Sequence, residues 1–103
     1  MIRHIGPVAV ETDRLHAICS RYRVRALYVF GSAARGDYTV DSDIDFVVDF
    51  EPGEPVGLLT VGALQMDLQD LMGRPVDLIT EVAAARSRLR EAVLRDRQVL
   101  YVR

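Results

Sequence analysis

Three aspartates and a Gly-Ser pair are the candidate functional residues of this 103-residue chain. Asp43 and Asp45 lie two positions apart in an apolar stretch that resembles a strand, so their side chains share one face of it. Carboxylate oxygens at that spacing can converge on divalent cations. They suit Mg²⁺, which takes further ligands from nucleotide phosphates. Gly31, Ser32 and Asp77 are the other candidate functional residues.

Gly31 and Ser32 follow an apolar run and precede a short helical stretch. Phosphates bind where backbone N–H groups point outward at a helix start, and glycine lets a ligand approach closely. The pair therefore predicts a phosphate-binding turn, although an ordinary turn would carry the same two residues. Arg35 could reach a phosphate from the short helix, or it could pair with Asp37 or a neighbouring acid.

Asp77 supplies a third carboxylate on a later predicted strand, where its neighbours Val76, Leu78 and Ile79 are apolar. A carboxylate in such surroundings is costly unless it is paired or metal-bound. Three carboxylates on adjacent strands could hold two metal ions for in-line displacement at phosphorus. The alternative for Asp43 is a solvated strand end with a side-chain cap across residues 41–43.

Hydrophobic periodicity and turn residues predict the elements that must position these side chains. Residues 1–11 show no clear period and suggest an irregular or extended lead-in, with Gly6-Pro7 as its breaker. The predicted elements after it are a helix over 12–22 capped by Thr12, a strand over 24–30, a short helix over 33–35, a strand over 43–50, a helix over 56–72 capped by Gly73, a strand over 75–80, a helix over 84–97, and a closing strand or packed tail over 98–102. This order predicts an α/β (α+β) fold in which helices cover a small mixed sheet.

Composition limits the classes of function that remain. The length and ordinary hydrophobic content predict one domain over residues 1–103. A formal net charge of −2 argues against general nucleic-acid binding, which usually needs a basic surface. No apolar run approaches the roughly 20 residues of a bilayer span, and a single cysteine, Cys19, fits a reducing compartment. We therefore expect a cytoplasmic protein without a membrane partner.

The motifs together resemble a known family. The sequence contains GSAARG, then SDIDFVV, and later VDLIT, and it is similar in these stretches and over nearly its whole length to the MNT-type minimal nucleotidyltransferases of the polymerase-β-like superfamily. The resemblance implies that Gly31 and Ser32 hold the triphosphate of ATP and that Asp43 and Asp45 bind Mg²⁺. It also implies that Asp77 binds the catalytic metal or orients the acceptor hydroxyl.

The resemblance further implies a biological setting. Many members of this family are encoded beside a HEPN-domain ribonuclease toxin and act as its antitoxin by transferring AMP from ATP to a tyrosine hydroxyl of the toxin. We therefore expect a hetero-oligomer with such a toxin. Two alternatives remain, namely a non-catalytic module that occludes the toxin and a nucleotidyltransferase that modifies a small molecule.

Overall fold

The computed structural model describes residues 1–5, 8–36, 43–53 and 56–103. Within these ranges the chain forms six strands and five helices. In chain order they are β1 (Ile2–Ile5), β2 (Val8–Glu11), α1 (Thr12–Arg21), β3 (Val24–Phe30), α2 (Gly31–Arg35), β4 (Ile44–Phe50), α3 (Leu58–Met72), β5 (Val76–Thr80), α4 (Glu81–Ala85), α5 (Arg90–Asp96) and β6 (Gln98–Val102).

The main sheet of the described chain has four strands in the order β5-β4-β3-β6. β4 and β5 run parallel, whereas β3 pairs antiparallel with both β4 and β6. The sheet is therefore mixed, as the sequence predicted. The segment over 98–102, for which a strand and a packed tail were both open, is a strand that closes the β3 edge.

Apolar residues cover both faces of this sheet, because side chains alternate along each strand. On one face Phe46 and Val48 pack in the main core with Leu15 of α1 and Leu68 of α3. On the other face Phe30, Val47, Ala84 and Val93 form a smaller cluster beneath α4 and α5. Asp45 and Val47 lie two positions apart on β4, so the candidate site shares the face that α4 and α5 partly cover.

The start of the chain, for which an irregular and an extended lead-in were both open, is extended in its described residues. β1 and β2 form an antiparallel pair, with Ile5 opposite Val8. Gly6 and Pro7 themselves lie outside the described residues. Thr12 was also expected to cap α1, but Glu11 does so, accepting bonds from the backbone N–H groups of Asp13 (3.3 Å) and Arg14 (2.8 Å).

The predicted helix over 84–97 is two helices, α4 and α5, separated by residues 86–89. Ser87 explains the break, since its hydroxyl donates to the Ala84 carbonyl (2.9 Å) and accepts from the Leu89 N–H (3.0 Å). Such local side-chain bonds compete with helical ones. The break changes the inward face, so that Ala84 and Val93 are buried while Ala85 and Leu89, both expected inward, are exposed.

The remaining boundaries agree with the predictions to within two residues. α3 begins at Leu58 rather than Val56, and Gly73 ends it in the left-handed conformation, with φ of 69°. Among the described residues, no helix combines the length and apolar content needed to cross a bilayer.

Candidate active site

The turn between β3 and α2 requires glycine at position 31. Gly31 has a φ of 73°, a left-handed conformation that side chains rarely adopt. A Cβ atom added there would collide with Oδ2 of Asp45 and come within 3.3 Å of its Cγ. The Asp45 carboxylate therefore lies directly against the backbone of the predicted phosphate turn. Ser32 lies on the first turn of α2. Phe30, the residue before this helix, makes no side-chain hydrogen bond that caps it.

Two of the three predicted carboxylates face each other across neighbouring strands. Asp45 of β4 and Asp77 of β5 are register partners in the parallel pair, and adjacent strands lie about 4.8 Å apart. Asp45 is half-buried, whereas Asp43 and Asp77 are exposed. The expectation that Asp77 lies in apolar surroundings is wrong, because strand alternation turns Val76 into the core and Asp77 outward.

The charges at this site act on one another. Burial raises the pKa of Asp45, and the nearby negative charges of Asp77 and Asp43 raise it further, while Arg35 opposes them. Three carboxylates thus influence one centre, with Asp45 in the middle. A cation bound there would relieve the repulsion among them.

Arg35 lies at the C-terminal end of α2, and its guanidinium donates to Asp96 of α5 at 3.2 Å. The sequence left open whether Arg35 contacts phosphate or pairs with an acid. The structure shows a pairing with Asp96, 61 positions away. Asp37, the partner considered from sequence, lies outside the described residues, as does the cap proposed across residues 41–43, apart from Asp43 itself.

The site offers oxygen donor atoms that suit a metal ion, although these atoms do not form a complete set of ligands. In the part of the chain that the structure describes, no group of three or more His, Cys, Asp or Glu is already arranged to hold a metal ion. The donor chemistry fits Mg²⁺, because Mg²⁺ usually binds through one or two carboxylates, several waters and substrate phosphates. Asp45, with Asp77 opposite it and Asp43 nearby, would hold the ion together with a nucleotide. The two-metal arrangement stays a prediction.

Sequence reasoning missed two residues that contact α2 from the end of the chain. Asp96 binds Arg35, and the side-chain amide of Gln98 donates to the Ala34 carbonyl at 2.8 Å. No motif marks either residue, and the contacts span more than sixty positions. They arise only because β6 pairs with β3, the strand that leads into α2.

A mixed sheet that sets carboxylates beside a glycine turn is typical of enzymes that transfer nucleotidyl groups. The chain belongs to the nucleotidyltransferase domain family, since the model of that family matches residues 14–100. This match confirms the resemblance to minimal nucleotidyltransferases that the motifs indicated.

Two relatives are informative. The protein adenylyltransferase MntA of Thermococcus cleftensis is 42% identical over 94 residues, which cover 91% of this chain and 90% of the relative. MJ0126 of Methanocaldococcus jannaschii, provisionally named a protein adenylyltransferase, is 43% identical over 61 residues, or 59% of this chain. That match spans 60% of MJ0126, less than two thirds of its length.

Solved structures share the fold. One, provisionally named a minimal nucleotidyltransferase, matches with a TM-score of 0.67 at 40% identity, covering 84% of this chain and 86% of that chain. A chain of a toxin–antitoxin crystal structure with AMP-PNP gives 0.72 at 20% identity, with 91% and 75% covered. A chain of the tri-AMPylated Shewanella oneidensis HEPN toxin in complex with MNT antitoxin gives 0.64 at 18%, with 89% and 70% covered. At these lower identities the likeness concerns the fold alone.

Proposed function

We propose that this chain is a Mg²⁺-dependent protein adenylyltransferase that transfers AMP from ATP to a tyrosine hydroxyl of a HEPN-domain toxin and thereby acts as its antitoxin. The similarity to MntA over nine tenths of both chains supports the activity. The shared fold with toxin–antitoxin complexes, one holding an ATP analogue and one an AMPylated HEPN toxin, supports the nucleotide and the partner.

The observation that carries this proposal is the register of β4 and β5. It sets Asp45 opposite Asp77, and Asp45 also lies against Gly31. One carboxylate thus borders both the predicted phosphate turn and a second acid. A triphosphate bound at the turn would lie beside carboxylates from two strands, which could hold it through a divalent cation.

The residues divide the work of the reaction. Gly31 and Ser32 hold the triphosphate through backbone N–H groups and the serine hydroxyl. Asp43 and Asp45 would hold Mg²⁺, and the bound ion would supply neutralisation of the phosphate charge and polarisation of the reacting phosphorus. The acceptor oxygen then forms a bond to the α-phosphorus as the bond to the departing pyrophosphate breaks. Asp77, on the open side, would bind the catalytic ion as a third ligand or orient the acceptor hydroxyl, and in the second role it takes up the proton that the hydroxyl releases.

Exposure of the site explains why a protein can serve as acceptor. Asp43 and Asp77 are both exposed on the face beside α2. A hydroxyl carried by another protein can therefore approach Asp77 from outside. We infer that the chain forms a stable complex with the toxin, because such a complex would hold the acceptor tyrosine close to this face.

The test uses the purified chain with the HEPN-domain protein encoded beside it, ATP and Mg²⁺, followed by intact-mass spectrometry. We expect the partner to gain mass in whole AMP units, and the Asp43→Asn, Asp45→Asn double variant to abolish the gain. Asp49→Asn is the matched control, since Asp49 lies on the same face of β4 but is paired with Arg25. It should retain activity.

Three results would contradict the proposal. An unmodified partner, both in the reaction and after co-purification, would exclude adenylyl transfer to it. If the double variant still neutralises the toxin, occlusion rather than catalysis is the mechanism. Modification of a small molecule instead of the partner would indicate the other alternative.

A further inference from the structure

The junction between α5 and β6 contacts α2 at two separate points. Asp96, the last residue of α5, accepts from Nη1 of Arg35 at 3.2 Å. Gln98, the first residue of β6, donates its side-chain amide to the Ala34 carbonyl at 2.8 Å. One contact is ionic and the other is a neutral hydrogen bond. They hold the C-terminal end of α2 from the same side.

The Asp96 carboxylate is largely buried, and its neighbours favour the charged form. Its side chain is 9% exposed, compared with 45% for Arg35. Arg95 also donates to it, from Nε to Oδ1 at 3.0 Å. A sheltered carboxylate is costly unless charged partners surround it. The guanidinium groups of Arg35 and Arg95 provide these charged partners. The Asp96 carboxylate is therefore held in place as an anion and is not a solvated surface acid.

α2 depends on such contacts because it is short. It has five residues, and so short a helix is marginal in isolation. The last carbonyl groups of a helix in general lack helical partners. Among the described residues, the Ser32 carbonyl of α2 accepts from the Gly36 N–H at 3.0 Å. The Gln98 amide supplies a partner for Ala34. The position of the helix, and with it that of Ser32, is therefore set from outside.

We propose that Asp96 and Gln98 are positioning residues that hold α2, and hence Ser32 and Arg35, in the arrangement that binds the nucleotide triphosphate. This inference rests on the proposed function. It adds that a segment outside the glycine and aspartate motifs decides nucleotide affinity. Asp96 then fixes the guanidinium of Arg35, and Gln98 prevents the end of the helix from shifting.

The test measures AMP-PNP binding by calorimetry in excess Mg²⁺ for the full chain, without any partner protein. We expect Asp96→Asn to weaken binding about tenfold, in line with the loss of a residue that supports a ligand-binding one. Asp96→Glu should restore most of the affinity because it keeps the charge. Gln98→Ala should weaken binding independently, so a failure of Asp96→Asn to fold would not prevent the test.

A double-mutant cycle separates positioning from general stabilisation. If Asp96 acts through Arg35, the Asp96→Asn change should add little in an Arg35→Gln background, whereas a purely structural effect would add fully. Glu81→Gln is the matched control. It removes an acid that pairs with Arg97, next to the same junction, at 3.1 Å. We expect unchanged nucleotide affinity for this control.

The outcomes distinguish this inference from the function on which it rests. If the unaltered chain binds AMP-PNP and both Asp96→Asn and Gln98→Ala bind it equally well, the positioning role is wrong and the proposed function stands. Full additivity in the double-mutant cycle would also overturn the role of Asp96. If the unaltered chain binds no AMP-PNP, the proposed function itself fails, together with the inference.

Discussion

At the scale of single residues, position 31 shows how a backbone conformation and a neighbouring side chain can demand one amino acid. A residue other than glycine would there adopt a positive φ and would also displace the Asp45 carboxylate. The first demand is common to other glycines of the chain. The second brings the predicted phosphate turn into contact with the strand that carries Asp45, so the two motifs form one candidate site.

Gly31→Ala and Gly73→Ala form a matched pair that separates these two demands. Both glycines have nearly the same φ, 73° and 69°, but nothing lies within 4 Å of a Cβ added at Gly73. Each change should cost about 1–2 kcal/mol for the left-handed conformation. Gly31→Ala should cost a further ~1–3 kcal/mol from overpacking against Asp45 and should abolish adenylyl transfer.

Denaturant unfolding and the mass-spectrometric assay measure the two effects. Gly73→Ala should lose stability but keep activity. Equal stability losses and equal activity for the two variants would show that Asp45 does not restrict the turn.

Cys19 illustrates how burial controls a reactive group. The sequence placed it on the apolar face of α1, and it is fully buried in the main core. Burial raises the pKa of its thiol to about 12. The folded chain therefore keeps the thiol neutral over a pH range in which the unfolded chain, with an ordinary pKa near 9.0, would ionise it.

The sign of the pH dependence follows. Below pH 9 the thiol is neutral in both states and has no effect on stability. Above it the unfolded state releases a proton that the folded state keeps, so stability should fall by up to ~1.4 kcal/mol per pH unit. Urea titrations at several pH values should show this slope, and Cys19→Ala should show a smaller one. Tyr22, whose hydroxyl donates to Asp67, also has a pKa that this hydrogen bond raises, so the difference between the two slopes measures the contribution of Cys19. Identical slopes for both proteins would contradict the assignment.

At the scale of elements, α3 is apolar on more than one side. Helical spacing predicts that Val61, Leu64, Leu68, Leu71 and Met72 form its inward stripe. Leu64 and Leu68 are completely buried, and Leu71 and Met72 pack against the main core, so the prediction is confirmed. Leu58, Leu59 and Met66 on the same helix are exposed. Helical spacing therefore identified the inward face, although apolar residues also occur on the exposed side.

Leu68→Ala and Met66→Ala test which face holds the helix in place. Leu68 is 0% exposed and Met66 is 66% exposed. Leu68→Ala should cost about 2–5 kcal/mol because it removes packing and leaves a cavity, whereas Met66→Ala should change stability by no more than ~0.5 kcal/mol. Thermal and urea unfolding would measure both. Comparable losses would mean that the outer face of α3 also contributes to folding.

At the scale of the whole molecule, the site forms where separate parts of the chain meet on one face of the sheet. Gly31 follows directly after β3, Asp45 lies on β4, and Asp77 lies on β5. The α5–β6 junction adds Asp96 and Gln98 from the opposite edge of the sheet. Each contribution is a short local feature, and the sheet order β5-β4-β3-β6 brings them together.

The outer boundaries of the elements followed from sequence wherever a local rule determined them. Gly73 ended α3 as predicted because left-handed caps favour glycine, and β3 lies over the residues that its apolar run indicated. The predictions failed where two local rules competed. Ser87 interrupted an otherwise helical pattern, and Glu11 displaced Thr12 as the cap of α1. Asp77 looked buried from its neighbours and is exposed.

Residue type and spacing in the sequence identified the candidate chemical groups, because they show which side chains share a face and where an apolar run ends at a predicted phosphate turn. The tertiary structure alone decided that Asp45 faces Asp77 and that Asp96 and Gln98 hold α2. Strand register and contacts across sixty residues depend on how the whole core packs. No local pattern in the chain records that packing.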